Sequence, residues 1–250
     1  MNTTLSSGSL RHCLRWAAPW LRRLDQVLSP DVCLLCRQEP ATTEMLCPAC
    51  QESLPAFGEL RCALCGGERP ALLEVCRACV EAGGFLWFRG VSAFPFRDSI
   101  REAIHRYKYK GHTYLARFFA RHMLQAWQSH GAPARPELLV PVPLHWRREM
   151  QRGYNQATLI AEFLSREMKI PCLEALTRKR KTAQQAGLSR EERMRNLKNA
   201  FALKNNISVK GRSILLLDDV LTTGNTLQEA SRVLLQAGAA ELSVICIARD

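Results

Sequence analysis

The sequence predicts an α/β protein with a parallel sheet, preceded by a small cysteine-rich module. Three observations support this fold class. An apolar strand, an amphipathic helix and a second apolar strand follow one another near the C-terminus, and another strand, loop and helix come before them. Eight of the 11 cysteines form four Cys-x-x-Cys pairs. We therefore expect an amphipathic segment over residues 1–32, a cysteine-rich domain over 33–90 and a sheet domain over 91–250.

The C-terminal β-α-β unit begins at the apolar run Ile214–Leu217. Four consecutive apolar residues suit a strand that is buried on both faces of a parallel sheet. Gly238 can take the left-handed conformation just past a helix end, and Leu242–Ala248 is a second apolar strand. The helix between them is indicated by apolar residues at helical spacing: Leu227, Ala230, Leu234 and Ala237.

Two acids and a hydroxyl-rich loop follow the first strand of this unit. The loop consists of Thr222, Thr223, Gly224, Asn225 and Thr226. Backbone amides at a helix entrance favour an anion such as phosphate. Asp218 and Asp219 would repel that phosphate at close range, so a ligand must present hydroxyl donors to the acids, as ribose 5-phosphate does. The alternative is that the acids only end the strand. The chain has no Gly-Lys pair and no Gly-x-Gly, which excludes a P-loop and a dinucleotide fingerprint.

A strand over Leu138–Leu144 leads into an arginine-rich loop that carries Arg147, Arg148, Arg152 and Gly153. Guanidinium groups suit phosphate oxygens, and glycine lets the backbone approach a ligand closely. A helix should follow, ending near Pro171, because one face is apolar: Ala157, Ile160, Ala161, Leu164 and Met168. Pyrophosphate could bind this loop; the alternative is a solvated basic loop.

These two motifs resemble those of the type I phosphoribosyltransferases, and together they resemble the ComF/GntX family from Cys33 to about Arg249. The resemblance implies that Asp218 and Asp219 bind the ribose hydroxyls of 5-phosphoribosyl 1-pyrophosphate and that residues 222–226 hold its 5-phosphate. It also implies that magnesium bridges the hydroxyls and the pyrophosphate, that Lys108 points toward the ligand, and that the cellular role lies in competence and the use of external DNA. Asn225 stands where members often carry a smaller residue.

The cysteine pairs repeat after 29 positions, which indicates a duplicated four-cysteine unit. A unit copied whole favours tandem zinc ribbons, each with its own structural zinc, over an interleaved arrangement. Disulfides are the alternative and would need an oxidising compartment. The predicted zinc ligands are Cys33, Cys36, Cys47 and Cys50 for one ion and Cys62, Cys65, Cys76 and Cys79 for the other.

The chain carries a formal net charge of +12, all of it in residues 91–250, where 26 Lys or Arg face 14 acids. This excess suits a polyanionic ligand or single-stranded DNA, although solvated surface charge explains much of it equally well. The basic stretch that begins at Arg178 and runs through residue 198 is either a mobile hood over the site or an ordinary solvated connection.

Several local features complete the prediction. Residues 10–28 predict a basic amphipathic helix, for which docking on the protein itself, or disorder until a partner arrives, is favoured over attachment to a membrane surface. No apolar stretch near the N-terminus suits a secretory signal or a membrane span, so we expect a cytoplasmic protein. Val91–Phe96 should be an edge strand broken by Pro95, and Ser99 with Glu102 should form a capping box.

Two functions remain at this stage. One is a phosphoribosyltransferase that displaces pyrophosphate at a ribosyl carbon. The other is a non-catalytic module that senses a phosphoribosyl ligand or holds single-stranded DNA, in connection with a DNA-uptake machinery.

Overall fold

The computed structural model describes residues 32–42, 45–131, 135–179 and 199–250. These form two compact units, one ending at Ser53 and the other running from Leu54 to Asp250. The expected N-terminal helix, and the hood segment beyond residue 179, lie outside the described residues. Within the described part of the chain, no helix is both long and apolar enough to cross a membrane.

The first unit is a single cysteine-rich ribbon. Its first Cys-x-x-Cys turn lies between Val32 and Pro40, which form a short antiparallel bridge. Its second lies at helix α1, Pro48–Glu52. Cys33 and Cys47 are buried, as are Leu35 and Leu46 beside them. The unit therefore has a very small core around its sulfur atoms.

The second unit contains the other ribbon and the sheet domain. Its elements are α2 (Arg77–Glu81), β1 (Arg89–Pro95), α3 (Asp98–Tyr109), α4 (Leu115–His130), β2 (Leu138–Pro141), α5 (Trp146–Arg152), α6 (Gln156–Met168), β3 (Leu176–Arg178), β4 (Phe201–Leu203), β5 (Ser213–Leu221), α7 (Asn225–Gln236) and β6 (Glu241–Arg249). Four strands form a parallel sheet in the order β1-β6-β5-β2, and β3 pairs with β4 as an antiparallel hairpin. The predicted α/β class with a parallel sheet is confirmed.

Strand β5 lies inside the sheet between β6 and β2. Its apolar residues Ile214–Leu217 are fully buried, as expected for a strand covered on both faces. The expectation that the acids follow the strand is wrong. Pairing with β6 continues through Asp218, opposite Cys246, to Leu221, opposite Arg249, so the acids belong to the strand itself.

Two local predictions are corrected. The capping box at Ser99 does not form, because α3 begins at Asp98 with Arg97 as its N-cap and Ser99 already lies in the first turn. The segment between β2 and α6 is not a plain loop, since α5 occupies most of it and ends at Gly153 in the left-handed conformation, φ 79°. By contrast, β1 is an edge strand that ends at Pro95, and Gly238 has φ 88° just beyond α7.

The second ribbon shares its core with the sheet domain. Cys62, Cys65 and Cys79 belong to the same buried cluster as Trp87 and the apolar face of α7. Close backbone approach makes this packing possible: a Cβ on Gly90 of β1 would lie 2.0 Å from the carbonyl oxygen of Leu64. The ribbon is thus built into the unit that carries the sheet.

Candidate functional site

The acids of β5 meet a lysine from a different element. Lys108, in the last turn of α3, places its Nζ 2.6 Å from Oδ1 of Asp219. The two side chains are 18% and 16% exposed, so the pair is largely shielded from bulk water yet still accessible. The structure therefore brings together Lys108 and Asp219, which are 111 positions apart in the sequence.

Asp218 has an unusual environment for a carboxyl group. Burial, followed by the neighbouring charge of Asp219, raises the pKa of Asp218 to about 7. The backbone N–H of Asp219 donates a 2.8 Å hydrogen bond to Oδ1 of Asp218, and this bond, Lys108 and Arg178 oppose the increase. Asp218 can therefore hold or release a proton near neutral pH.

The hydroxyl-rich loop directly continues β5. Gly224, with φ 79°, is the N-cap of α7, and no side chain caps this helix. The first N–H groups of a helix have no intrahelical partners, so they are left for a ligand on this side. Thr222, Thr223 and Thr226 are partly exposed, so the loop is not folded shut. The Nδ2 of Asn225 is buried without a hydrogen-bond partner among the described residues.

Two residues support the loop from its other side. Arg249, at the end of β6, donates from Nη1 to the carbonyl oxygens of Leu221 and Thr222, at 3.1 and 2.7 Å. The ring of Phe85 lies where a side chain at position 224 would project, since a Cβ there would be 2.5 Å from the Phe85 ring. Neither residue was predicted as part of the site.

The residues of the arginine-rich loop differ in their surroundings. Arg147 is exposed and lies over the ring of Trp146, with 5.1 Å from Cζ to the ring centroid. Arg152 donates to Oε1 of Gln156 at 3.0 Å and lies 4.6 Å over the ring of Tyr109, which is next to Lys108 in the chain. Gly153 is exposed, with open space around its Cα.

Arg178 is a site residue that the sequence prediction missed. It ends β3 and its Cζ lies 5.4 Å from the centroid of the Phe201 ring. Burial, and then the positive charge of Arg148, lower the pKa of Arg178, whereas the charge of Asp218 raises it. The Arg178 guanidinium is therefore within electrostatic range of both Arg148 and Asp218. Its only sequence signal was its position at the start of a basic run.

Two tyrosines, Tyr107 buried and Tyr154 half-buried, hold the end of the helix that carries Lys108. The hydroxyl of Tyr107 donates to the carbonyl oxygen of Gln156 at 2.8 Å, and the hydroxyl of Tyr154 donates to the carbonyl oxygen of Tyr107. Burial raises the pKa of both phenols, so both remain neutral donors. The C-terminal turn of α3 is thereby held against the start of α6.

The cysteines gather in two sets of four, Cys33, Cys36, Cys47 and Cys50 in one and Cys62, Cys65, Cys76 and Cys79 in the other, and within each set all sulfur atoms lie within 4.8 Å of one another. This is the grouping expected of tandem ribbons.

The sulfur geometry fits zinc. The Sγ···Sγ distances are 3.8 Å for Cys36 and Cys47, 3.8 Å for Cys62 and Cys79, and 3.7 Å for Cys65 and Cys76. Four thiolates at about 2.3 Å from a tetrahedral zinc ion would lie about 3.8 Å apart. The two sets therefore have the geometry of closed structural zinc sites.

Comparison with known families agrees with this division. A double zinc ribbon domain family matches residues 24–80, and a phosphoribosyl transferase domain family matches residues 155–250.

Three relatives extend the comparison to most of the chain. The DNA utilization protein YhgH of Escherichia coli is 35% identical, covering 92% of this chain and 96% of its own sequence. Competence protein F of Haemophilus influenzae is 35% identical over 82% of this chain and 90% of its own. Competence protein ComFC of Bacillus subtilis is 33% identical over 83% of this chain and 85% of its own sequence. With both domains matched and relatives of this similarity over nearly its whole length, the chain belongs to the ComF/GntX family.

Proposed function

We propose that the protein binds 5-phosphoribosyl 1-pyrophosphate together with magnesium at the ends of β5 and β2. The observation that supports this most is the continuity of the acids with the uncapped start of α7. Asp218 and Asp219 offer acceptors for hydroxyl groups, and helix α7, which begins six residues after Asp219, offers N–H groups to an anion. A phosphorylated sugar has both features at opposite ends.

The residue roles follow from this placement. Asp218 and Asp219 accept hydrogen bonds from the ribose 2- and 3-hydroxyls, and the loop from Thr222 to Thr226 binds the 5-phosphate. The pyrophosphate is bound by Arg147, Arg148, Arg152 and the backbone at Gly153. Arg178 adds a further positive charge within electrostatic range of Arg148 and Asp218. Lys108 orients Asp219 through the 2.6 Å ion pair.

Magnesium fits only together with the ligand. The acids are oxygen donors of the kind that Mg²⁺ prefers, but Lys108 already occupies one side of Asp219 and no further carboxylate is seen beside the pair in the described residues. The ion would therefore be held chiefly by hydroxyl and pyrophosphate oxygens. When bound, it neutralises charge on the departing pyrophosphate.

The reaction compatible with this site is displacement of pyrophosphate at the ribosyl carbon by an acceptor nucleophile: the bond from the acceptor to this carbon forms as the carbon–oxygen bond to pyrophosphate breaks, and pyrophosphate leaves with that electron pair. Positive charge develops on the ribose ring, and Asp219 stabilises it at short range. The arginines stabilise the leaving pyrophosphate, and the protein otherwise positions the reacting groups.

The test is ligand binding by isothermal calorimetry with 5-phosphoribosyl 1-pyrophosphate and magnesium. The double variant Asp218→Asn, Asp219→Asn should lose binding by about 100-fold or more, since two charge-assisted hydrogen bonds to hydroxyls are lost. Glu241→Gln, which changes an acid of the same sheet at its opposite end, is the matched control. Unchanged binding by the double variant, with its fold intact by circular dichroism, would refute the assignment.

A second candidate function is binding of single-stranded DNA. Trp146 and Tyr109 are 54% and 56% exposed, and each lies under an arginine, Arg147 and Arg152 respectively. Exposed aromatic rings beside positive charge are the features by which single-strand binders stack bases and hold phosphates. The names of the relatives, DNA utilization protein and competence protein, support a role connected with DNA.

A titration with an oligodeoxythymidine separates the two candidates. DNA binding should weaken steeply as salt rises and should fall in Trp146→Ala, whereas binding of the phosphoribosyl ligand should be unaffected by that change. DNA binding alone, with no affinity for the phosphoribosyl ligand, would favour this second function.

A further inference from the structure

We infer that the second zinc ribbon positions the phosphate loop through Phe85 and Arg249, which act as positioning residues. This inference rests on the proposed function, because it assigns how the loop at residues 222–226 is held ready for the 5-phosphate. The contacts run in two lines from the Cys62–Cys65 turn to the loop, and both lie within the compact unit from Leu54 to Asp250.

The first line runs through two aromatic rings. The Nε1 of Trp87 donates a 2.7 Å hydrogen bond to the carbonyl oxygen of Leu64, which lies between the cysteines of the Cys62–Cys65 turn. Trp87 is 2% exposed and stacks on Phe85, with ring centroids 4.2 Å apart and planes inclined by 8°. The edge of the Phe85 ring then reaches the space beside Gly224. A packed chain of atoms therefore joins the zinc-binding turn to the N-cap of α7.

The same line has a polar branch to α7. The backbone N–H of Leu86 donates to Oε1 of Gln228 at 3.0 Å. Gln228 is in the first turn of the helix whose N–H groups face the ligand. The segment after the ribbon therefore fixes both the N-cap and the first turn of α7.

The second line runs through Arg249. A Cβ on Gly67, in the ribbon, would lie 3.2 Å from Cγ of Arg249, so the arginine stem lies against the ribbon backbone. From there its guanidinium donates to the carbonyl oxygens of Leu221 and Thr222. Because Arg249 binds both carbonyl oxygens, the peptide planes of the loop are held in one orientation. An anion site made of N–H groups depends on that orientation.

These contacts explain the glycine at position 224. Its φ of 79° is unfavourable for other residues, and the space for a side chain is filled by Phe85. The ring thus takes the place that a side chain at this position would occupy, and it fixes a turn that glycine alone would leave free to vary.

The test separates positioning from general stability by using two partial ligands. Phe85→Ala and Arg249→Met should weaken binding of ribose 5-phosphate by about tenfold, because they release the loop that holds its phosphate. The affinity for inorganic pyrophosphate should not change, because the proposed site of pyrophosphate is the arginine-rich loop. Phe85→Leu should restore part of the affinity, since it refills the space beside Gly224. The control is Phe88→Ala, which changes a 39% exposed phenylalanine three residues after Phe85. This variant should bind both ligands normally.

Three results would overturn the inference. One is wild-type affinity for ribose 5-phosphate in Phe85→Ala. Another is an equal loss of both ligands, which would indicate general destabilisation. The third comes from hydrogen exchange without ligand: amides of residues 222–228 should exchange faster in Phe85→Ala than in Phe88→Ala, and equal rates would contradict positioning. If the wild-type protein binds neither ligand while the exchange result holds, the proposed function fails and the structural support of the loop stands.

Discussion

At the scale of single residues, the acids of β5 show how position alone differentiates identical side chains. Successive residues of a strand point to opposite faces, so Asp218 and Asp219 meet different neighbours. Asp219 pairs with Lys108, whereas Asp218 lies at a more enclosed position with a raised pKa. Adjacent acids of one strand therefore differ in their surroundings: one forms an ion pair, and burial raises the pKa of the other to about 7.

This difference predicts a pH-dependent stability effect of Asp218→Asn. Because the folded-state pKa is raised above the unfolded value, the folded protein binds more protons, and the contribution of Asp218 to stability falls as pH rises toward about 7. The variant should therefore unfold at a higher denaturant concentration than wild type at about pH 8, by about 1 kcal/mol, with a smaller gain at about pH 6.

Paired urea titrations at both pH values, with zinc present, would check the sign. Asp250→Asn, at the exposed end of the chain, should show no such trend and serves as the control. A gain that shrinks as pH rises would show that burial does not dominate the environment of Asp218.

At the scale of elements, the two ribbons have the same cysteine pattern but different surroundings. The second ribbon shares a buried cluster with Trp87 and α7, while the first belongs to the unit that ends at Ser53. The equivalent cysteines Cys50 and Cys79 differ accordingly, with Cys79 only 1% exposed inside the shared cluster. Loss of the two zinc ions should therefore have unequal effects on the sheet domain.

The comparison of Cys79→Ser with Cys50→Ser tests this asymmetry. Cys79→Ser should lose one zinc, lower the melting temperature of the sheet domain and weaken ribose 5-phosphate binding, because the turn that supports Trp87 is no longer fixed. Cys50→Ser should also lose one zinc but retain the melting temperature and binding. Zinc counts by atomic absorption with calorimetry on both variants would decide, and equal effects would argue against the asymmetry.

How far the sequence predicts these elements depends on the range of the interaction. The strands at Ile214–Leu217 and Leu242–Ala248 and the tandem cysteine sets were readable, because apolar runs and ligand spacings are local patterns. The ion pair of Lys108 with Asp219 and the contact of Phe85 with Gly224 were not readable from spacing, because they join residues more than 100 positions apart. The failed capping box at Ser99 shows that local signals also misplace a helix start, here by two residues, since the N-cap is Arg97.

At the scale of the whole molecule, the ribbon and the ligand site should be thermodynamically coupled. If fixing the second ribbon improves binding at the phosphate loop, ligand binding must strengthen zinc binding at the Cys62 set by the same factor. Equilibrium competition with a coloured zinc chelator, with and without ribose 5-phosphate, measures this directly. One of the two zinc ions should become harder to remove by about tenfold, and the other should be unaffected.

The coupling should depend on the contacts that carry it. Phe85→Ala should abolish the effect of ribose 5-phosphate on zinc removal, whereas Phe88→Ala should leave it unchanged. Pyrophosphate should protect neither zinc, because the arginine-rich loop makes its side-chain contacts with Trp146, Gln156 and Tyr109 and not with the path through Trp87 and Phe85. Protection of both ions, or of the Cys33 set alone, would contradict a path through Trp87 and Phe85 and would require a different connection between metal and ligand.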